Sequence, residues 1–413
     1  MISFIFLLII LGFITAYGLS ILSAGLEDSD RKIPIYLVFW HALLAAAYFG
    51  YAIFNRSDSK HYYYKASSAF LGPNWFDYYG VSTTFIDFLT FPLVQYFGLS
   101  YEAAMLFYAW LGLIGFLLFF ITLKENLVTR PTFFGYDLLT IILFLPNLHF
   151  WSSSIGKGSI AFLGFGLFFY GLSKFGQRWL LALLGGVIIY HVRPHILFIT
   201  LIASALGYLF SSSNVGTWGR VAIVLISLIG FYFIAADVLA LTGIDEEAIL
   251  QESTTLSRRA FELSKATSGV NISGYSFPLK LFTFWFRPLF FDAPGALGII
   301  VSFENVIYLL LFLKIVNPAF ILYLLRSDAI IKTSAITFLG VSFALAQLSG
   351  NLGLAMRQKS QVMILLMFVI LKFLDEKQQK TIAEEQRRKE VLATQLERIK
   401  ASRERQVGRR SLT

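Results

Sequence analysis

The sequence predicts an all-α, polytopic membrane protein, and three observations carry that reading. Charged residues make up 14% of the 413-residue chain and hydrophobic residues 57%, where soluble domains hold about 25% charged residues. The apolar residues fall into long runs rather than alternating with polar ones, which is the pattern of lipid-facing helices and not of strands. Aromatic residues add 17%, with 43 Phe, more apolar surface than a soluble α/β enzyme can keep from water.

The elements follow in chain order. The run at 2–22 has no basic segment before it and exceeds a leader's apolar core, so it reads as a retained first span. Further runs lie near 34–54, 101–123, 136–150, 157–173, 179–191, 195–210, 219–241, 296–316, 333–349 and 360–374. That makes about eleven transmembrane helices, within a range of roughly nine to thirteen. The runs 136–150 and 157–173 are short for a bilayer that needs about 20 residues, so they are expected to be tilted or enclosed by neighbours. "STTFIDFLTFPLVQYF" at 82–97 reads as an interfacial or re-entrant helix broken by Pro92. Segments 279–291 and 318–326 are similar in kind. Residues 1–374 thus form a transmembrane domain with two long outer segments, 55–100 and 242–294. The second contains a polar helix-like stretch, "DEEAILQESTTLSRRAFELSKATS".

The tail, 375–413, is polar and helix-forming and holds 11 Lys/Arg against 7 Asp/Glu. A basic tail directly after a span belongs in the cytoplasm. Alternating eleven spans from there puts the N-terminus outside, and 22 of the 34 Lys/Arg then fall inside. The inner face carries the whole net charge of +9, and the short loops "KENLVTR" and "KFGQR" support this independently of the tail. Leu392, Leu396 and Ile399 make at most a short apolar seam, so a solvated or membrane-skimming helix is expected rather than a long coiled coil.

Several chemistries are absent. With no cysteine, disulfides, thiolate nucleophiles and Cys-based metal sites are excluded. No Walker A loop, HExxH or G-x-S-x-G occurs. His191 and His195 have the spacing of helical metal ligands, but Pro194 lies between them and no third ligand is evident. No nucleotide cofactor and no nucleic-acid partner is expected, and a divalent metal is possible but not indicated.

The orientation collects the unusual polar residues at one level. Asp58, His61, His149, Lys157, His191, Arg193, His195, Arg287, Asn351, Arg357 and Lys359 fall at outer ends of spans or in outer segments. Glu304 lies about two turns inside its span, and His41 alone is mid-span. Ionisable groups at membrane depth are costly and face a cavity or a partner. Arg193 interrupts "YHVRPHILFI" at the outer rim, where Pro194 can open a helix. Lys157 follows Ser and Gly residues at a helix start, a place where free N–H groups and a lysine receive an anion. Each residue also has a plain reading. Asp58 can be a solvated loop carboxylate, and Lys157 a snorkelling cap. Arg287 can pair with Glu304 across 17 residues. Arg193, Arg357 and Lys359 can meet lipid headgroups, and the tyrosines and Trp75 can form an interfacial belt.

Together these segments resemble a family. An outer D-x-x-x-Y (Asp58, Tyr62) is followed by "FWSSSIGKG", by an arginine–proline at a span's outer end, and by "NLGLAMRQK" before the last span. This order resembles the O-antigen and exopolysaccharide polymerase-like proteins of bacteria and the related GT-C membrane glycosyltransferases, over roughly residues 55–360. The chain departs from them in two places. Exopolysaccharide polymerase-like members often carry arginine where Lys157 stands, and GT-C aspartates usually follow the first span, whereas Asp58 follows the second.

The resemblance implies a bacterial inner-membrane protein that transfers sugar or oligosaccharide from a polyprenyl-(pyro)phosphate donor to a glycan acceptor at the outer face. It implies that Lys157, Arg193, Arg287 and Arg357 hold the phosphate. Asp58 and Glu304 are the catalytic candidates for the acceptor proton. Tyr62, His61, His195, Asn351 and Lys359 are secondary candidates. The expected partners are the lipid-linked donor and acceptor, the bilayer, and a cytoplasmic or membrane partner for the tail. A glycolipid transporter or flippase, and a scaffold acting through the tail, are the competing classes.

Overall fold

The computed structural model describes residues 2–68, 74–211, 216–242, 269–270, 272, 274–347 and 350–410, without side chains at 235–242 and 401–410. The first helices are α1 (Ile2–Ala24), α2 (Lys32–Phe54), α3 (Asp58–Ser67), a 3-10 turn (Trp75–Tyr78), α4 (Thr83–Gln95) and α5 (Tyr101–Glu125). A small hairpin, Thr132–Phe133 against Tyr136–Asp137, is the one sheet among the described residues. Then come α6 (Leu138–Leu143), α7 (Pro146–Trp151), α8 (Lys157–Ser173), α9 (Phe175–Val192), α10 (Pro194–Leu209) and α11 (Thr217–Thr242). The last part holds α12 (Phe277–Phe286), α13 (Gly295–Leu313), α14 (Pro318–Arg326), α15 (Ala329–Ala346) and α16 (Leu352–Arg410).

Eight of these helices, α1, α2, α5, α9, α11, α13, α15 and α16, are long and apolar enough to cross a membrane. The pair α6–α7, α8 and α10 are shorter apolar helices. This is an all-α membrane protein. Burial grades from rim to centre. In α1 only Leu11 is buried, and Ile2, Phe6, Ile9 and Phe13 stand exposed on the outside of the bundle. In α16 every residue from Val362 to Leu371 is buried, which makes it the central post. Small residues set the close packing of α8 on α9: a Cβ on Gly171 would strike the Ala182 backbone, and one on Gly185 the Phe168 backbone.

Charged side chains lock one end of the bundle. Asp30, between α1 and α2, pairs with Lys124 (2.5 Å) and Arg130 (3.0 Å). Glu125 takes Arg178 (2.8 Å) and Lys174 (3.1 Å). Asp375 accepts from the Thr129 N–H (2.7 Å) and pairs with Lys372 (2.8 Å).

Two expectations need correction, and a third element is longer than its sequence runs suggest. Helix α4 runs through Pro92 instead of breaking there. Proline removes the N–H that would reach Phe88 O, and the Trp75 indole supplies the donor in its place (2.7 Å). The run at 136–150 is two short helices, with a break at Phe144–Leu145 ahead of Pro146. The last span and the tail are one helix of 59 residues, about 90 Å long at 1.5 Å per residue. No proline or glycine interrupts it between Leu354 and Gln406. The polar stretch at 245–268 lies outside the described residues.

Candidate functional site

The site lies where the ends of α3, α8, α9 and α16 meet. Asp58 opens α3, and its carboxylate forms an ion pair with Arg357 in the second turn of α16. The Arg357 guanidinium carbon lies 5.9 Å from the Trp151 ring centre. Lys157 opens α8 and donates to Ser82 Oγ (2.8 Å). Ser82 has a positive φ of 67°, and its N–H donates to His191 O (2.5 Å), so this strained turn ties the start of α4 to the end of α9. Gly156, at φ 151°, makes the turn into α8, with the Tyr62 ring against it.

Arg193 separates α9 from α10, and Pro194 is the first residue of α10, as the sequence predicts. The Arg193 side chain is buried, its Nε has no hydrogen-bond partner, and no carboxylate pairs with it among the described residues. Burial, then the charge of Arg357, pushes its guanidinium down to about 10. Lys157 in turn feels the charges of Arg193 and Arg357, and His195 those of Arg193 and Lys157. Three cations from three segments therefore feel one another's charge, with Asp58 paired to Arg357 and the Asp87 carboxylate of α4, paired to Lys65, also acting on Lys157. An unpaired buried charge is costly. A doubly charged anion would relieve that cost, because arginine forks bind phosphate oxygens in pairs.

Further orphaned atoms line the same place. Gln361 lies one turn below Arg357 on the same face of α16, and both its amide Oε1 and Nε2 are buried without partners. Trp151 Nε1 is likewise unpartnered. Gly158 lets the Trp151 carbonyl approach, since a Cβ there would strike it and come within 3.8 Å of Gln361 Nε2. Tyr62, one turn after Asp58, is buried. Burial, then the Asp58 charge, raises its phenol pKa, so it stays a neutral hydrogen-bonding group.

Other candidates lie elsewhere. His61 is exposed on α3. Asn351 caps α16, accepting from the Leu354 N–H (3.0 Å). Arg287 pairs with Asp292 (2.5 Å), and not with Glu304. Lys359 points away from Arg357, fully buried, and donates to Arg287 O (2.6 Å), Asn305 Oδ1 (2.7 Å) and Trp285 O (3.4 Å). Its role is to pin the end of α12 between α13 and α16.

Glu304 seals the break between α6 and α7. In a continuous helix the Asn147 N–H would donate to Leu143 O. Here that N–H donates to Glu304 Oε2 (2.9 Å), and Leu143 O meets His149 Nε2 (2.8 Å). Tyr308 donates to the other Glu304 oxygen (2.6 Å). Both Glu304 oxygens are occupied by groups of the bundle interior, which gives this residue a structural place. His149, expected at an outer end, is buried at the same break.

No group of three or more His, Cys, Asp or Glu able to hold a metal occurs among the described residues. Comparison of the chain with family models, curated proteins and solved structures finds no match. Gln361, Trp151 and Ser82 are site residues that the sequence does not mark by charge. The signal for Gln361 was present: in "RQKSQVMILL" it is the last polar residue before the apolar run, four after Arg357.

Proposed function

We propose that this protein is a membrane glycosyltransferase of the oligosaccharide polymerase kind, acting at the outer face of a bacterial inner membrane on a polyprenyl-(pyro)phosphate-linked saccharide. The observation that carries the reading is Arg193, a buried arginine with no carboxylate partner among the described residues, whose charge is felt with that of Arg357 at Lys157. No Asp or Glu occurs in the sequence between Asp137 and Asp237, so its own stretch of chain supplies no acid to pair with it. The three cations hold the donor's phosphate, and charge that develops on the leaving oxygen is stabilised there. The acceptor oxygen attacks the anomeric carbon as the carbon–oxygen bond to phosphate breaks, its electron pair leaving with the phosphate. Asp58 takes the acceptor's proton once the phosphate draws Arg357 toward itself.

In this reading the eight long and three shorter apolar helices form eleven spans, the tail of α16 is cytoplasmic and the N-terminus is outside. A transporter is the second reading, favoured by the broken helix α6–α7 at membrane depth. Its freed backbone groups are closed off by Glu304 and His149 instead of lining a path, which favours the transferase. The test is transfer from a purified polyprenyl-pyrophosphate saccharide by the protein in lipid nanodiscs. Product formation that collapses in Arg193→Met and Arg357→Met is expected. Unchanged yield and product length in both folded variants would sink the reading.

A further inference from the structure

The histidine pair inside the bundle carries an inference independent of the outer site. His41 on α2 and His149 on α7 are both buried, and their Nδ1 atoms lie 2.9 Å apart. His41 Nε2 lies 3.0 Å from Ala109 O on α5. His149 Nε2 lies 2.8 Å from Leu143 O, the carbonyl that the α6–α7 break leaves without its next-turn N–H. A carbonyl only accepts, so each Nε2 must carry a hydrogen. In a neutral imidazole the other nitrogen is then a bare lone pair. Two neutral rings would thus set two lone pairs against each other at hydrogen-bond distance. The three contacts need three protons, and two neutral imidazoles bring two.

We infer that His41 and His149 together bind one additional proton, held between their Nδ1 atoms, so that the pair is a buried, singly charged proton site. Membrane depth opposes such a charge. The groups facing the rings offset it: the Ala109 and Leu143 carbonyls accept from both outer nitrogens, and Phe116 stacks on His149 with ring centres 3.6 Å apart. The Phe116 ring also lies 5.4 Å from His41. Glu304, which seals the same break, is engaged by Asn147 and Tyr308. A metal ion fits poorly, because two nitrogens at about 2.0–2.1 Å from one tetrahedral ion stand about 3.3 Å apart. The shared proton fastens α2 and α5 to the broken helix, and α7 leads into the turn that carries Lys157.

The test is nitrogen-15 NMR of histidine-labelled full-length protein in nanodiscs at about pH 8, above the ordinary imidazole value near 6.5. The chain has five histidines. If all were neutral, each would contribute one lone-pair nitrogen signal. With the shared proton, one such signal is missing and an imidazolium-type signal takes its place. That signal is expected to disappear in both His41→Gln and His149→Gln. A wild-type spectrum with one lone-pair signal per histidine overturns the inference even if neither variant folds. An imidazolium-type signal that survives either substitution in folded protein overturns it as well.

Discussion

Helix α16 presents two cationic faces, one with Lys359 fully buried and one with Arg357 partly exposed, built on opposite principles. Arg357 and Lys359 are two residues apart, so their side chains leave the helix about 160° from each other. Lys359 is fully buried, yet three acceptors surround it. On the other face, the Gln361 amide has no partner among the described residues, and Arg193 and Lys157 both feel the like charge of Arg357. Burial of a cation is therefore no mark of a ligand site. A satisfied buried cation is a structural pin, whereas Arg193 Nε and the Gln361 amide, buried without partners beside paired cations, are the groups that the proposed function gives to an anion. The largest test of this contrast is Arg193→Met. Loss of one preorganised donor to a developing anion costs about 100- to 1000-fold in rate, so transfer should fall by that factor. Thermal stability should not fall, because the substitution removes an uncompensated buried charge. A melting transition well below wild type would show that Arg193 is a pin after all.

Lys359→Met should do the opposite. Arg287 O and Asn305 Oδ1 would lose their donor inside the bundle, at a cost on the order of 3 kcal/mol. Denaturation in detergent would read this as a lowered midpoint, with activity per folded molecule close to wild type. A folded Lys359→Met protein that is as inactive as Arg193→Met would erase the distinction between the two faces.

The sequence made much of the fold legible and only part of this distinction. Each of the eleven apolar runs holds helix among the described residues, the run at 136–150 as two short pieces, and Lys157 opens α8 and Pro194 opens α10. Sustained apolarity and the backbone limits of proline act locally, and local causes can be read from one chain. Helix α16 was legible only from about residue 360. Its first two turns, "LGLAMRQK", hold enough polar residues to read as a loop. Taken as helix, the same residues would have put Arg357 with Gln361 and turned Lys359 away. The role of Glu304 was hidden for a different reason. The N–H it receives belongs to a helix break 157 residues away, and nothing local announces that distance.

Gln361→Leu is a finer probe of the open face. The amide is buried without partners among the described residues, so its removal should leave stability unchanged or raised. If it contacts the bound phosphate, one hydrogen bond of about 1.4 kcal/mol is lost, a tenfold fall in apparent donor affinity. An unchanged dependence on donor concentration would remove Gln361 from the site.

The smallest effect is expected at Arg287, and it bears directly on how the two kinds of cation differ. Arg287–Pro288 and Arg193–Pro194 look alike in sequence, each an arginine–proline among apolar residues. What separates them is an acid. Asp292 follows Arg287 by five residues and meets its Nε, while the chain around Arg193 holds no acid at all. Arg287→Gln keeps a donor near Asp292, and the Leu289 N–H still donates to that carboxylate (2.5 Å). Stability should drop by about 1 kcal/mol, and transfer from a lipid-linked donor should stay within about twofold of wild type, well inside what loss of a single neutral hydrogen bond would cause. A fall comparable to that of Arg193→Met would instead bring Arg287 into the phosphate cradle, and would require the Asp292 pair to open when the donor binds.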